Sequence, residues 1–307
     1  MDLQVSCMLG ERRFTLQNPI MPAPGSYGNV IEFANYEDLT RLGALIPNSM
    51  LSTDGSPSVN NKFARVPCGF LSAFGPNNIS LQTFIDTVLD RLPDRVPVIV
   101  DLKSRSMEEM AELAALAAQT PKIAAIEVNL TCPYGVPGPA YWQDPAQLEK
   151  LLRMVRESAG DKPLIAKGAG GLYPLAPVIR ALEETGVDMF VPFNCISGLS
   201  VDIYSRTTQG GGYFGPGIKP IGLSICKEAA SLTKMPVIGA GGITCAKDVL
   251  EYIMAGAFAV QVGSANLTRP DFMGRLLDDL AALMQELGIK SLNEVRGVAA
   301  PLKTALF

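Results

Sequence analysis

A single α/β domain, a (β/α)8 TIM barrel covering residues 1–307, is the architecture this sequence predicts, and three observations carry it. Eight short apolar or β-branched runs recur along the chain. Stretches of helical period separate several of them. The runs are also apolar on both alternations, as strands covered on both faces must be. Eight such alternations fit a closed barrel better than a doubly wound sheet.

The elements follow in order. Residues 3–8 and 13–16 read as a hairpin joined through Gly10, an ornament (residues 1–17) that closes the barrel bottom. The eight strands are placed at 18–23, 43–48, 97–102, 123–129, 163–167, 187–193, 236–240 and 258–262. Between the fourth and fifth, Leu148, Leu151, Leu152 and Val155 stand at i, i+3, i+4 and i+7, the spacing of one helix face. Residues 107–116 and 175–182 behave alike. Residues 48–80 and 195–218 read as long loops rich in Ser, Asn, Gly and Pro, each after the C-terminal end of a strand, where barrel chemistry sits. Neither a linker nor an internal repeat divides the chain.

Composition narrows the function. With 48% hydrophobic and 18% charged residues, the chain can bury a large core. A net charge of −4 and a pI near 5.1 argue against nucleic-acid and anionic-membrane partners. No stretch reaches the roughly 18 apolar residues of a membrane span. The N-terminus carries Asp2, Glu11, Arg12 and Arg13 rather than a signal core, and the six cysteines form no CxxC pair, so the expected location is the cytoplasm. There is no histidine. That removes Ser-His-Asp and Cys-His relays, histidine bases and histidine-bearing zinc sites together. Proton transfer must then use Cys, Lys, Tyr, a carboxylate or a cofactor.

Three segments can carry chemistry. The seventh and eighth strands end in Gly241-Gly242 and Gly263-Ser264, and paired glycine turns at this position of a barrel suit a phosphate. The fourth strand delivers Asn129 and then Cys132, on a segment broken by Pro133, Gly135, Pro137, Gly138 and Pro139. A thiolate there can accept a proton if a cation assists it. The fifth strand ends in Lys167, a rim cation able to stabilise negative charge or to act as a Schiff-base nucleophile.

In order along the chain stand Asn18-Pro-Ile-Met-Pro-Ala, Asn129-Leu-Thr-Cys-Pro, Lys167, Asn194, Gly215-Pro-Gly-Ile-Lys-Pro220 and the two glycine turns. Together they resemble the class 1 dihydroorotate dehydrogenase family over essentially the whole chain, and the Asn-x-x-Cys-Pro element is similar to that of dihydropyrimidine dehydrogenases. The resemblance implies an FMN-bearing barrel whose flavin carries hydride. It brings Gly241, Gly242, Gly263 and Ser264 to the phosphate, with Gly215 nearby. Ala23, Gly25, Ser49, Asp101 and Asn129 are implied on the cofactor side, with Lys167 beside the ring. Cys132 is the implied proton-transfer base, and Asn129 and Asn194 hold the substrate. A homodimer is implied too. The sequence has neither a clustered iron–sulfur motif nor a GxGxxG, so electrons would pass to a soluble small molecule or a separate electron-transfer subunit.

Departures from the family pattern cluster at the substrate end. Its lysine after the second strand falls on Asn48, a substrate asparagine on Ser72, and the asparagine past Cys-Pro on Tyr134. The hydroxyl residue after Asn194 is Cys195, and a flavin-side asparagine is Asp101. Such changes turn the pocket from dihydroorotate toward a less polar or differently shaped cyclic or enone-like compound. A flavin-free phosphate-binding lyase or isomerase using Lys167, and a non-catalytic scaffold subunit, are the alternatives.

Overall fold

The computed structural model describes residues 1–55, 63–72, 79–132, 139–168 and 174–300. Near the N-terminus β1 (Val5–Leu9) and β2 (Arg12–Leu16) form the expected antiparallel hairpin. The first barrel strand is β3 (Ile20–Pro22), and residues 43–50 take the second position. A ribbon of β4 (Phe63–Val66) and β5 (Gly69–Ser72) follows. The barrel resumes with β6 (Val98–Leu102), β7 (Ile123–Asn129), β8 (Leu164–Lys167) and β9 (Met189–Val191). After a second ribbon, β10 (Ile196–Val201) and β11 (Thr208–Phe214), it ends with β12 (Ile238–Ala240) and β13 (Ala259–Val262).

Pairing closes the ring. Strands β6, β7, β8 and β9 run parallel in that order, and a Phe190–Val237 bridge leads on to β12. β12 pairs with β13 and β13 with β3, both parallel. The last gap is spanned by residues 43–50: Gly43 N–H donates to Ile20 O at 2.9 Å, and bridges join Leu45 to Val98 and Met50 to Leu102. All eight predicted strands are therefore present as barrel positions. The second is held by isolated bridges rather than a ladder, partly because Pro47 has no N–H to give.

Three helices lie where the periodicity put them, whereas α1 (Leu81–Thr87), capped by Ser80 accepting from Thr83 N–H at 3.2 Å, lies outside those readings. Ser106 caps α2 (Met107–Gln119) by accepting from Glu109 N–H at 3.1 Å. Asp144 caps α3 (Pro145–Ala159) through Ala146 and Gln147, and Leu148, Leu151, Leu152 and Val155 are buried on its inner face. α4 covers Leu175–Glu184. The first crossover has no α-helix, only 3-10 turns at Ile31–Asn35 and Leu39–Arg41.

The expected long loops differ from expectation. Within 48–80 and 195–218 the chain forms one four-stranded antiparallel sheet, ordered β10-β11-β5-β4. It lies beyond the C-terminal ends of the barrel strands, where Ser72, Gly212 and Phe214 help to line the cavity at the mouth. Their polar, glycine-rich composition masked the extended pattern, since Gly210, Gly211 and Gly212 fall inside β11 itself.

Candidate active site

A cavity of about 450 Å3 opens at the C-terminal ends of the barrel strands. That is the size of a small-molecule or cofactor pocket. Ala23 and Gly25 reach it from the first strand, Asn48 and Ser49 from the second, and Asn129 and Lys167 from the fourth and fifth. Asn194 and Cys195 follow β9, Gly215 follows β11, and Gly241, Gly242, Gly263 and Ser264 end the last two strands. No Asp or Glu stands among the described lining residues. Such a wall accepts an anion without repulsion.

The glycine turns are rigidly built. Gly241 and Gly242 have φ of 112° and 65°, and a Cβ on Gly242 would lie 2.7 Å from Lys219 N. The Tyr252 hydroxyl bonds the Ala240 and Gly241 carbonyls at 2.9 and 2.8 Å. Lys219 Nζ donates to Asp248 at 2.7 Å and to Glu251 at 2.9 Å. Asp248 also accepts from Thr244 N–H at 2.7 Å and Cys245 N–H at 3.2 Å, which staples the turn to the neighbouring helix start. On the next strand, a Cβ at Gly263 would make only an ordinary contact with Ala23 Cβ at 3.6 Å, so that turn is not tightly packed. No backbone carbonyl among the described residues accepts from the N–H of Gly242 or Ser264. Those donors fit a phosphate group.

Asp248 makes this staple testable. Burial works against its ionised form, but Lys219 and Thr244 outweigh it and hold the carboxyl below its usual range. Its contribution is therefore present above the unfolded value, about 3.9, and lost as pH falls through the lower folded value. Asp248→Ala is expected to cost about 1.5–3 kcal/mol, the worth of hydrogen bonds to a charged group. It should also loosen any ligand held on the turn. Thermal unfolding and the binding of inorganic phosphate would check both, and unchanged phosphate binding would refute the positioning role.

Beneath the cavity lies a polar cluster inside the barrel. Lys167 donates to Gln261, stands 3.3 Å from Glu127, and is 4% exposed against 0% for Glu127. Gln261 in turn donates to Glu127. Burial pushes the Glu127 carboxyl up, with Lys167 opposing the shift and Asp101 adding to it. Asp101 is fully buried and does not line the cavity; its carboxylate accepts from Asn129 Nδ2 at 3.3 Å through both oxygens. Asn129 Oδ1 accepts from the Thr131 hydroxyl at 2.6 Å. Both ends of that amide are thus engaged within the protein.

Cys132 stands apart from the lining. It is 0% exposed, and its Sγ accepts from Ser104 N–H at 3.3 Å. Burial pushes its thiol up to about 11, against the opposing Ser104 N–H and Lys103 charge. Burial also raises the Cys195 thiol, with Lys103 and Lys167 pulling it back. Tyr134 lies outside the described residues. Sequence reasoning missed Lys103, Glu127 and Gln261. A usable signal existed for Lys103, which follows the apolar run of β6 just as Lys167 ends that of β8.

Comparison with known proteins adds to this geometry. The family described as Dihydroorotate dehydrogenase matches residues 8–284. The chain is 39% identical to a Solidesulfovibrio magneticus protein over 92% of this chain and 94% of that one. It is 36% identical to a Maridesulfovibrio salexigens protein, over 92% and 94%. A third relative, from Enterococcus faecalis, is 34% identical over 92% of each. All three are named dihydroorotate dehydrogenase B (NAD(+)), catalytic subunit.

Proposed function

Because the chain belongs to the dihydroorotate dehydrogenase family, we propose that it is an FMN-dependent oxidoreductase acting on a C–C bond next to a carbonyl, in dihydroorotate or a cyclic analogue. The observation that carries the reading is the acid-free cavity framed by two glycine turns, with Lys167 in its floor. The residues present fit the group: Gly242, Gly263 and Ser264 line the cavity, and the N–H donors at Gly242 and Ser264 suit its phosphate. Bound there, FMN supplies the hydride chemistry that no side chain can.

The protein's own residues do the rest. Glu127 and Gln261 hold the Lys167 ammonium in one place, where a fixed cation stabilises negative charge developing above it. Asp101 and Thr131 fix the Asn129 amide, which gives the substrate side a rigid wall. The sequence resemblance assigns the proton at the carbon next to the carbonyl to Cys132, which lies buried behind the lining with Ser104 N–H directed at its sulfur, so this role requires the thiol to reach the cavity when substrate binds. The sheet over the mouth shields the reacting atoms from water.

The relatives are named as catalytic subunits of an NAD(+) enzyme, which supports electron exit through a separate electron-transfer subunit. Six unpaired cysteines suit the reducing cytoplasm. No helix among the described residues is long and apolar enough to cross a membrane.

The test is spectroscopic. The purified protein should be yellow, and anaerobic dihydroorotate should bleach it faster than dihydrouracil does. A colourless protein that takes up no added FMN would refute the reading. A colourless protein trapped covalently by borohydride with a phosphorylated ketone would favour a Lys167 lyase instead.

A further inference from the structure

Two carboxyls and one ammonium are enclosed together inside the barrel. Asp101 of β6 and Glu127 of β7 are register partners on adjacent parallel strands, and both are 0% exposed. Their carboxyls lie within side-chain hydrogen-bond reach of each other. Two carboxylates have no proton to bond through, and like charges this close in a buried site do not both ionise. Gln261 of β13 donates to Glu127, and Asn129 reaches Asp101 at 3.3 Å. Glu127 Oε1 stands 3.3 Å from the Lys167 ammonium of β8, yet it accepts a hydrogen bond from no donor among the described residues.

The rest of the ring supplies no countercharge. Strands β3, β9 and β12 carry no charged residue, and neither do residues 43–50 of the second position. Past the strand ends stand Lys103, Cys132 and Cys195; the charge of Asp101 reaches the Cys132 thiol and that of Lys167 the Cys195 thiol. Fully ionised, the cluster of Lys167, Glu127 and Asp101 is net negative. With one proton kept between the carboxyls it is neutral. An asparagine at position 101 would meet Glu127 with an amide N–H, whereas aspartate has no such donor unless a carboxyl keeps its proton.

We propose that Asp101 and Glu127 hold one proton between them, donated by Glu127 to the Asp101 carboxylate, and that this proton keeps the cavity floor under the bound cofactor from turning negative. The role of the floor rests on the flavin-dependent reading; the shared proton does not. Lys167 is the member of the cluster that lines the cavity, so both acids act through it as positioning residues. Losing the proton at alkaline pH places a negative charge below a group that must itself accept negative charge.

Two readouts on wild type, Asp101→Asn and Glu127→Gln test this. Either substitution leaves one carboxylate for one ammonium, so the floor no longer turns negative with rising pH. Thermal unfolding of the protein as purified, at about pH 6 and about pH 9, reads the proton without reference to the cofactor. A proton held more tightly in the folded state stabilises at low pH, and that stability is lost as pH rises through the folded value. The fall in midpoint between the two pH values should therefore be about twofold smaller in both variants than in wild type. The second readout is the ratio of reduced to oxidised FMN in the loaded protein, at equilibrium with a redox dye. The three proteins should agree near about pH 6, and near about pH 9 the variants should hold a ratio about tenfold above wild type, the effect of one nearby charge. If Asp101→Asn unfolds with the pH dependence of wild type, the proton is not shared and the proposal is overturned. If unfolding separates the variants but the dye ratio does not, the role of the floor is overturned. A protein that takes up no FMN overturns the flavin reading, and unfolding still decides the shared proton.

Discussion

Cys132→Ser is expected to lower turnover by a factor of about 10²–10⁴, the usual worth of a positioned acid or base, with bound FMN unchanged. The cofactor should be spared because Cys132 lies outside the cavity lining and touches neither glycine turn. The reaction should suffer because a serine hydroxyl gives up its proton far less readily than a thiol. A pH signature accompanies the loss. Burial holds the wild-type thiol at about 11, so the thiolate fraction rises about tenfold per pH unit across the neutral and mildly alkaline range. The rate of substrate oxidation should climb with that slope, and the serine variant should lack the climb. Rapid-mixing measurement of anaerobic flavin bleaching gives both quantities. A serine variant as fast as wild type would remove Cys132 from the mechanism.

Lys167→Met carries the largest expected effect on stability. The pair it breaks is almost wholly inside the barrel, with Lys167 4% and Glu127 0% exposed. Removing one partner of a buried pair costs about 3–5 kcal/mol because the other charge is left behind. Glu127 can escape by taking a proton. Its folded carboxyl is already raised by burial, and loss of the opposing Lys167 raises it further. A group raised on folding stabilises fully below its unfolded value, about 4.3, and that stability is lost as pH rises through the folded value. The deficit of Lys167→Met should therefore be small near about pH 5 and several-fold larger near about pH 9. Adding Glu127→Gln should recover much of the alkaline loss. Thermal unfolding at the two pH values decides the matter, and a deficit independent of pH would refute the coupling.

Much of the scaffold was legible in the residues. Apolar runs marked all eight barrel positions, and the spacing of Leu148, Leu151, Leu152 and Val155 gave the buried face of α3 directly. Local pattern suffices there because each strand or helix face repeats its own period. It failed where pairing is remote. β5 meets β11 through Ser72 and Gly212, and nothing in either segment announces the other. The site divides the same way. Lys167 and the two glycine turns were found because each ends a strand. Glu127 and Gln261 sit inside apolar runs; Glu127 meets Lys167 across the β7–β8 pair, whereas only the closed ring brings Gln261 of β13 to it. Cys132 shows the limit of such reading: chain position placed it at the rim, yet it is fully buried and is not among the described residues that line the cavity.

The order in which the polypeptide is made gives the canopy over the mouth a temporal meaning. Its two ribbons leave the barrel after the second and sixth positions, and the ring shuts only when β13 joins β3. A nascent chain halted before β13 has neither a sealed wall nor the Gly263-Ser264 turn. On the proposed reading, cofactor capture belongs to the final stage of synthesis, because the second glycine turn is made last.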